Sequence, residues 1–256
     1  MITTEVSLDL GNLEKLREQD LEEARAIQGS MLPSESLRTE TVLLSHEFQP
    51  VAAVGGDFLD YFQLSDGSVG LYLGDVSGKG LPAAMYAALA VGTLRGVHKT
   101  GQQPSQVLSM LNKRLLLRGV PRRYSAVQYA IFDPKTREMQ IASAGMPGPF
   151  HLSENNCHAF QLSGIPPGLF ADANYENTRV QLEPGDSVLF CSDGITDAMN
   201  ADEEQFGIER LQELCTKLRH LEPARILQQI FSSVDTHCKG CEQHDDMAAT
   251  VFQYLG

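Results

Sequence analysis

The sequence predicts an α+β layered domain, on three observations. From about residue 40 onward, apolar β-prone runs dominate and are joined by short turn signals, as in hairpins. Helical stretches come in pairs between groups of strands, whereas a doubly wound parallel sheet needs single strands and helices in alternation. The chain has 256 residues, 42% hydrophobic and 21% charged, enough for a substantial core in one large domain or two small ones.

Residues 8–32 contain no proline and are rich in Glu, Arg, Gln and Leu. Leu10, Leu13, Ala24, Ile27 and Met31 recur at helical spacing, Arg17 and Asp20 interrupt the stripe, and Pro33 ends it. This is either a surface helix packed on its own domain or a linker helix that pairs with a second copy. "TVLLSHEFQP", "VAAVGGDFLDYFQL" and, after the turn "SDGS", "VGLYLGDV" read as strands. Residues 81–97, apolar on nearly every side, predict a helix sandwiched in a core, and 104–118 predict a second helix with Val107, Leu108, Leu111 and Leu115 on one face. "YSAVQYAIFD" and "EMQIASAGM" form a hairpin, and "PFHLSENNCHAFQL" reads as another. "LEPGDSVLFCSDG" is a strand that delivers Asp193 at its end, and helices over 206–219 and 223–237 precede the last strand, "MAATVFQYL".

Several function classes are disfavoured. No apolar run reaches the about 18–20 residues of a membrane helix, since 81–94 contains Pro82 and runs into Arg95. "MITTEVSLDL" lacks the basic and apolar regions of a signal peptide, so a soluble cytoplasmic protein is expected. A net charge of −13 argues against a nucleic-acid partner. Five cysteines do not suggest a disulfide framework. Cys157, Cys191 and Cys215 read as buried thiols. "HCKGCEQH" lacks the second Cys pair of a zinc site and reads as a solvent-exposed loop with incidental thiols.

The stretch "YLGDVSGKGLPAA" has the outline of a phosphate-cradling loop, but only Asp75, Val76 and Ser77 separate Gly74 from Gly78-Lys79. A Walker-type loop needs four residues there and a hydroxyl after the lysine, where Gly80 stands. Asp75 is the better candidate for the working residue. It is one of four strand-end sites, with Asp57 in "VGGDF", Asp193 in "FCSDGIT" and Asp245-Asp246 in "HDDMAA". Each alone is most simply a turn former. Brought together, unpaired aspartates repel and raise one another's pKa, and a hard divalent cation removes that cost. All-oxygen ligation indicates Mg²⁺ or Mn²⁺. With Asp75 between two ions, a bridging water becomes the nucleophile for in-line phosphoryl displacement.

"VGGDFLDYF", "GDVSGKGLPAAM", "SDGITDAMN" and "DDMAATVF" resemble, in order and spacing, the metal-dependent PPM-type (type 2C) serine/threonine phosphatases, specifically the bacterial SpoIIE/RsbU branch. "ARAIQGSMLPSE" and "GIPPGLF" are similar to further segments of that branch, so the resemblance spans about residues 22–254. It implies a four-layer αββα sandwich of two antiparallel sheets flanked by helices, with residues 1–33 as a helical linker or dimerisation segment and 34–256 as the phosphatase domain. It implies two Mn²⁺ or Mg²⁺ ions. Asp57, Asp75 and the Val76 carbonyl would hold one; Asp75, Asp193 and one of Asp245 and Asp246 the other, with Asp245 the better match. Asp57, Asp75 and Asp193 would act catalytically through metal-activated water.

Two residues depart from the branch: Met146, where His is usual, and Asp197, where Glu is commoner. No Arg or His stands beside these motifs as a phosphate clamp, and Lys79 reads as a loop or helix-start cation, with direct substrate binding as the alternative. The resemblance implies a phosphatase acting on phosphoserine or phosphothreonine of a STAS-type anti-sigma-factor antagonist, and a homodimer through the N-terminal helix. The alternative is a catalytically weak PPM domain serving as a signalling module, against which the intact aspartate set speaks.

Overall fold

The computed structural model describes the backbone of residues 2–117, 119–154 and 156–256, and side chains over the same ranges from Glu14 onward. The elements run α1 (Ile2–Met31), β1 (Leu37–Arg38), β2 (Val42–Gln49), β3 (Phe58–Gln63), β4 (Val69–Val76), α2 (Gly80–Arg95), α3 (Pro104–Leu116), β5 (Ser125–Asp133), β6 (Glu138–Ala144) and β7 (Phe150–Leu152). They continue with β8 (Cys157–Ala159), β9 (Thr178–Gln181), β10 (Ser187–Cys191), α4 (Asp193–Thr196), α5 (Ile208–Leu218), α6 (Pro223–His237) and β11 (Met247–Tyr254). Among the described residues no helix is long and apolar enough to cross a membrane.

One sheet has the order β1-β2-β11-β10-β7-β8 and the other β3-β4-β5-β6-β9. Every pairing is antiparallel. Side chains alternate between the faces of each strand. On β4, Tyr72 and Val76 join α2 and α3 in one core, while Leu71 and Leu73 face the other sheet. On β11, Met247, Ala249 and Val251 pack with α5 and α6, while Ala248 and Phe252 point between the sheets. Three stacked apolar layers therefore hold four layers of structure, the αββα sandwich, and strands apolar on both faces are what such a position requires.

Three local readings change. Residues 51–57 are a loop, because the Val51 and Gly56 N–H groups donate to the Asp246 carboxylate (2.8 and 2.6 Å) instead of to a neighbouring strand. Only one face of α2 is buried, through Ala83, Ala87, Ala90, Val91 and Leu94, while Leu81, Met85 and Leu89 form an exposed stripe. The thiols of "HCKGCEQH" are half-buried, not solvent-exposed.

The N-terminal helix meets the domain mainly at its C-terminal end. Leu10 and Leu13 of the predicted stripe lie outside the described side chains. Ile27 is 64% exposed, and Met31 packs on the core beneath α2 and α3. The adjacent Gln28 is buried, donating to the Gly55 carbonyl (2.7 Å) and accepting from its N–H (3.0 Å). Arg25 donates to Ala53 O (3.0 Å), and Arg95 at the end of α2 bridges Met31 O (2.7 Å) and Asp60 (2.8 Å).

Candidate metal centre

Antiparallel pairing brings the predicted aspartates to one end of the sandwich. Asp57 stands just before β3 and Asp75 near the end of its partner β4, where Phe58 faces Gly74. Asp193 follows β10, and Asp245-Asp246 precede β11, where Cys191 faces Ala249. The open end of the β3/β4 hairpin and one end of the β10/β11 pair thus face the same corner. Ser192 stitches the two β10/β11 ends together, its N–H donating to Ala248 O (2.9 Å) and its hydroxyl accepting from Ala248 N–H (3.0 Å).

The carboxylates feel one another. Burial pushes Asp57 well above the usual range, and the charges of Asp75, Asp246 and Asp193 push it the same way, with the Ser192 hydroxyl acting in the opposite sense. Asp75 is raised to about 7 by burial first, then by Asp193 and Asp245. Asp193 opens to solvent on one side, yet the protein around its carboxyl raises its pKa, followed by the charges of Asp197 and Asp245. Val76 is buried, and the absence of a side chain at Gly56 leaves its carbonyl uncovered: a Cβ there would sit 2.9 Å from Val76 O.

Asp57 Oδ2 is buried and has no hydrogen-bond partner among the described residues. A buried carboxylate oxygen left without a donor is costly, and a cation is the natural partner. The remaining donors are hard oxygens, the type that Mg²⁺ and Mn²⁺ take. Among the described residues no three His, Cys, Asp or Glu side chains already close around one point as a finished ligand shell. The fit therefore rests on Asp57 Oδ2 and on the hard-oxygen character of the donors. The residues fit a divalent cation.

Asp246 behaves differently. Both its oxygens accept backbone N–H groups of the 51–56 loop, and a Cβ on Gly55 would fall on its carboxylate. Asp245 is half-exposed and pairs with Lys79 Nζ at 3.3 Å, so Lys79 sits at the edge of the carboxylate group. Met146 is buried between the sheets with Leu59, Leu73 and Ala248, and Asp197 accepts from Gln205 Nε2 (3.1 Å) at the mouth of the centre. A cavity of about 430 Å³ opens beside Asp245 and Asp197 and runs toward Met199, Cys238 and Cys241.

Two contacts to this corner are not foreseen from the aspartates themselves. Gln28 of α1 clamps Gly55, and the Arg123 guanidinium donates to the carbonyl of Ser77, directly after Asp75 and Val76. No arginine is adjacent in sequence; in space one is.

The profile of the family described as Stage II sporulation protein E (SpoIIE) matches residues 65–255. The chain belongs to the SpoIIE family. Asp75, Asp193 and Asp245 fall within the match, and Asp57 lies upstream of it. The chain is 25% identical to the phosphoserine phosphatase RsbU of Bacillus subtilis over 238 residues, covering 91% of this chain and 70% of RsbU. It is 26% identical to Protein IcfG of Synechocystis sp. over 256 residues, covering 89% of this chain but only 40% of IcfG. In structure it is similar to the SiaA-PP2C domain of Pseudomonas aeruginosa, with TM-score 0.84 and 18% identity, covering 94% of this chain and 98% of that one. The αββα sandwich of this SpoIIE-family chain is thus a PP2C fold.

Proposed function

We propose that this SpoIIE-family domain is a metal-dependent protein phosphatase that hydrolyses phosphoserine or phosphothreonine on a protein. The observation that carries the reading is Asp57 Oδ2, buried without a partner in a group of aspartates whose pKa values are raised together. Asp57, Asp75 and the Val76 carbonyl would hold one ion, and Asp75, Asp193 and Asp245 the other. Asp246 is left to hold the 51–56 loop, since both its oxygens are already bonded. Bound there, two Mn²⁺ or Mg²⁺ ions would supply charge for the phosphoryl oxygens and a water acidic enough to act as nucleophile near neutral pH.

The chain's own residues set the conditions for that chemistry. Burial makes protons and cations alternative occupants of Asp57 and Asp75, so the site takes a cation more readily as pH rises. Four ligand carboxylates balance two divalent cations. The cavity beside Asp245 is the side from which a phosphorylated segment would approach. Lys79, held by Asp245, stands on that side as the candidate substrate contact.

Similarity to the phosphoserine phosphatase RsbU supports phosphoserine as the substrate group, and a phosphorylated STAS-type antagonist in partner switching is the proposed bearer of it. Residues 1–33 would form the linker through which two copies pair, and the exposure of Ile27 leaves a face of α1 for that purpose. The Gln28–Gly55 pair would carry the helix's position to the loop that ends at Asp57. The test is turnover of p-nitrophenyl phosphate and of a phosphoserine-bearing STAS protein with Mn²⁺ or with EDTA. Metal-dependent release of phosphate from both is expected; undiminished activity in excess chelator would contradict the reading.

A further inference from the structure

Ser77 follows the proposed ligands Asp75 and Val76, and the segment 122–124 holds it at three atoms. Its N–H donates to Tyr124 O (3.1 Å). Its hydroxyl accepts from Tyr124 N–H (3.2 Å) and lies 3.4 Å from Arg122 O, to which it donates. Its carbonyl accepts from Arg123 Nη1. Room for the guanidinium exists because position 78 is glycine: a Cβ there would fall on Arg123 Nη1, and its φ of +91° is one that side chains rarely allow. On the other side of the loop, a Cβ on Gly56 would meet Val76 O, Ala83 Cβ and Gly78 O at 2.9, 3.2 and 3.4 Å, so that only a glycine leaves the loop its room there. Arg122 itself adopts a φ of 64°, a left-handed bend uncommon for a residue with a side chain. The bend lies immediately before Arg123 in the chain. The metal loop is therefore clamped between the turn at Gly56 and the Arg123 side chain.

We propose that Arg123 is a positioning residue for the metal centre. Its guanidinium fixes the Ser77 carbonyl and with it the direction in which the Asp75 carboxylate and the Val76 carbonyl face. Arginine suits the task because its side chain is long enough to reach across the loop and ends in a charged group that only donates. The inference rests on the two-ion reading of the same centre. Outer partners that orient metal ligands commonly govern about 10–100-fold of metal affinity.

The experiment measures Mn²⁺ binding to the full chain by the electron paramagnetic resonance of free Mn²⁺, for wild type, Arg123→Ala and Arg123→Lys. Thermal unfolding in chelator serves as the fold control. Arg123→Ala is expected to bind Mn²⁺ about 10–100-fold more weakly, and Arg123→Lys to recover most of that loss by donating to the same carbonyl. At saturating Mn²⁺ the KM for the phosphorylated protein should stay near the wild-type value. Arg123→Met, which keeps the aliphatic stem, replaces the alanine variant if that one does not fold. Mn²⁺ affinity within about twofold of wild type would overturn the proposal. So would a raised KM with unchanged Mn²⁺ affinity, which would make Arg123 a substrate contact. A wild-type chain that binds no Mn²⁺ would overturn the metal reading itself.

Discussion

Asp57 and Asp246 are equally buried, each 2% exposed, at the starts of two strands in the same corner of the molecule. Their surroundings differ. Asp246 gives one oxygen to Val51 N–H and the other to Gly56 N–H, and so pins the loop between β2 and β3. Asp57 keeps an oxygen without a donor among the described residues, and its carboxyl is driven toward the protonated form. Burial of an acid therefore says little about its role. What separates a structural carboxylate from a candidate ligand is whether its lone pairs are already taken.

The largest effect expected is on Asp75, which touches neither side of the comparison alone but is proposed to serve both ions. Asp75→Asn should lower kcat/KM by more than about a hundredfold, beyond the range of outer partners. Retention of a third of wild-type activity would show that Asp75 is no bridge.

Asp57 and Asp246 should then respond with opposite signs in stability. Asp57→Asn removes a buried acid whose ionised form the fold disfavours, so it should raise the Tm in EDTA at neutral pH while abolishing Mn²⁺-dependent turnover. Asp246→Ala strands two backbone donors at about 1–3 kcal/mol each, and should lower the Tm by roughly 5–15 °C. Differential scanning fluorimetry reads both. Equal losses of stability would erase the distinction.

A third expectation concerns pH. The Asp75 carboxyl titrates at 3.8 in the reference state and at about 7 in the fold. Between those values the folded chain holds a proton that the unfolded chain has lost. The Asp75 contribution to metal-free stability is therefore fully present below about pH 4 and is lost as pH rises through about 7, and Asp57, also raised, carries the fall in the same direction. The shift corresponds to on the order of 4 kcal/mol, or roughly 10 °C in Tm. Mn²⁺ should flatten the curve by restoring stability on the alkaline side, and a metal-free Tm that rises over this window would contradict the shift.

The smallest effect expected on the centre comes from a distance. Ile27→Asp leaves every ligand untouched and, at a position 64% exposed, should leave the isolated chain folded. In a dimer joined through α1 it would bury an unpaired carboxylate, so it should convert dimer to monomer and alter activity through the Gln28–Gly55 link. Analytical ultracentrifugation at micromolar concentration decides this, and a wild-type monomer would contradict the pairing.

Much of this architecture was legible in the sequence, because alternating apolar runs mark strands buried on two faces. The four strand-end aspartate sites were legible for the same reason: antiparallel neighbours carry such ends to one corner. Other features left no trace in periodicity. β9 (Thr178–Gln181) buries only Val180 and offers little apolar pattern. Residues 51–57 look like a strand because Val51 and Val54 are apolar, but their amides are claimed by an acid 190 or more positions away. Gln28 is polar and buried beside an exposed isoleucine, which inverts the helical pattern that hydrophobicity predicts. Asp245 and Asp246 are adjacent and chemically identical, and only burial, the Lys79 ion pair and hydrogen bonds, all set by the fold, distinguish them. Arg123 reaches the Ser77 carbonyl across 46 positions, with no motif of its own.

The most direct test of the central claim is calorimetry of Mn²⁺ binding in buffers of different ionisation enthalpy, at about pH 6 and about pH 8.5. Asp57 is raised by burial and by the charge of Asp75, and Asp75 by burial and by the charges of Asp193 and Asp245, so at the lower pH a bound cation must displace their protons. Release of about one to two protons per chain is expected at pH 6, falling at pH 8.5, and Asp57→Asn should reduce it. Mn²⁺ binding without proton release at pH 6, or no binding at all, would contradict the assignment of these aspartates as the metal ligands.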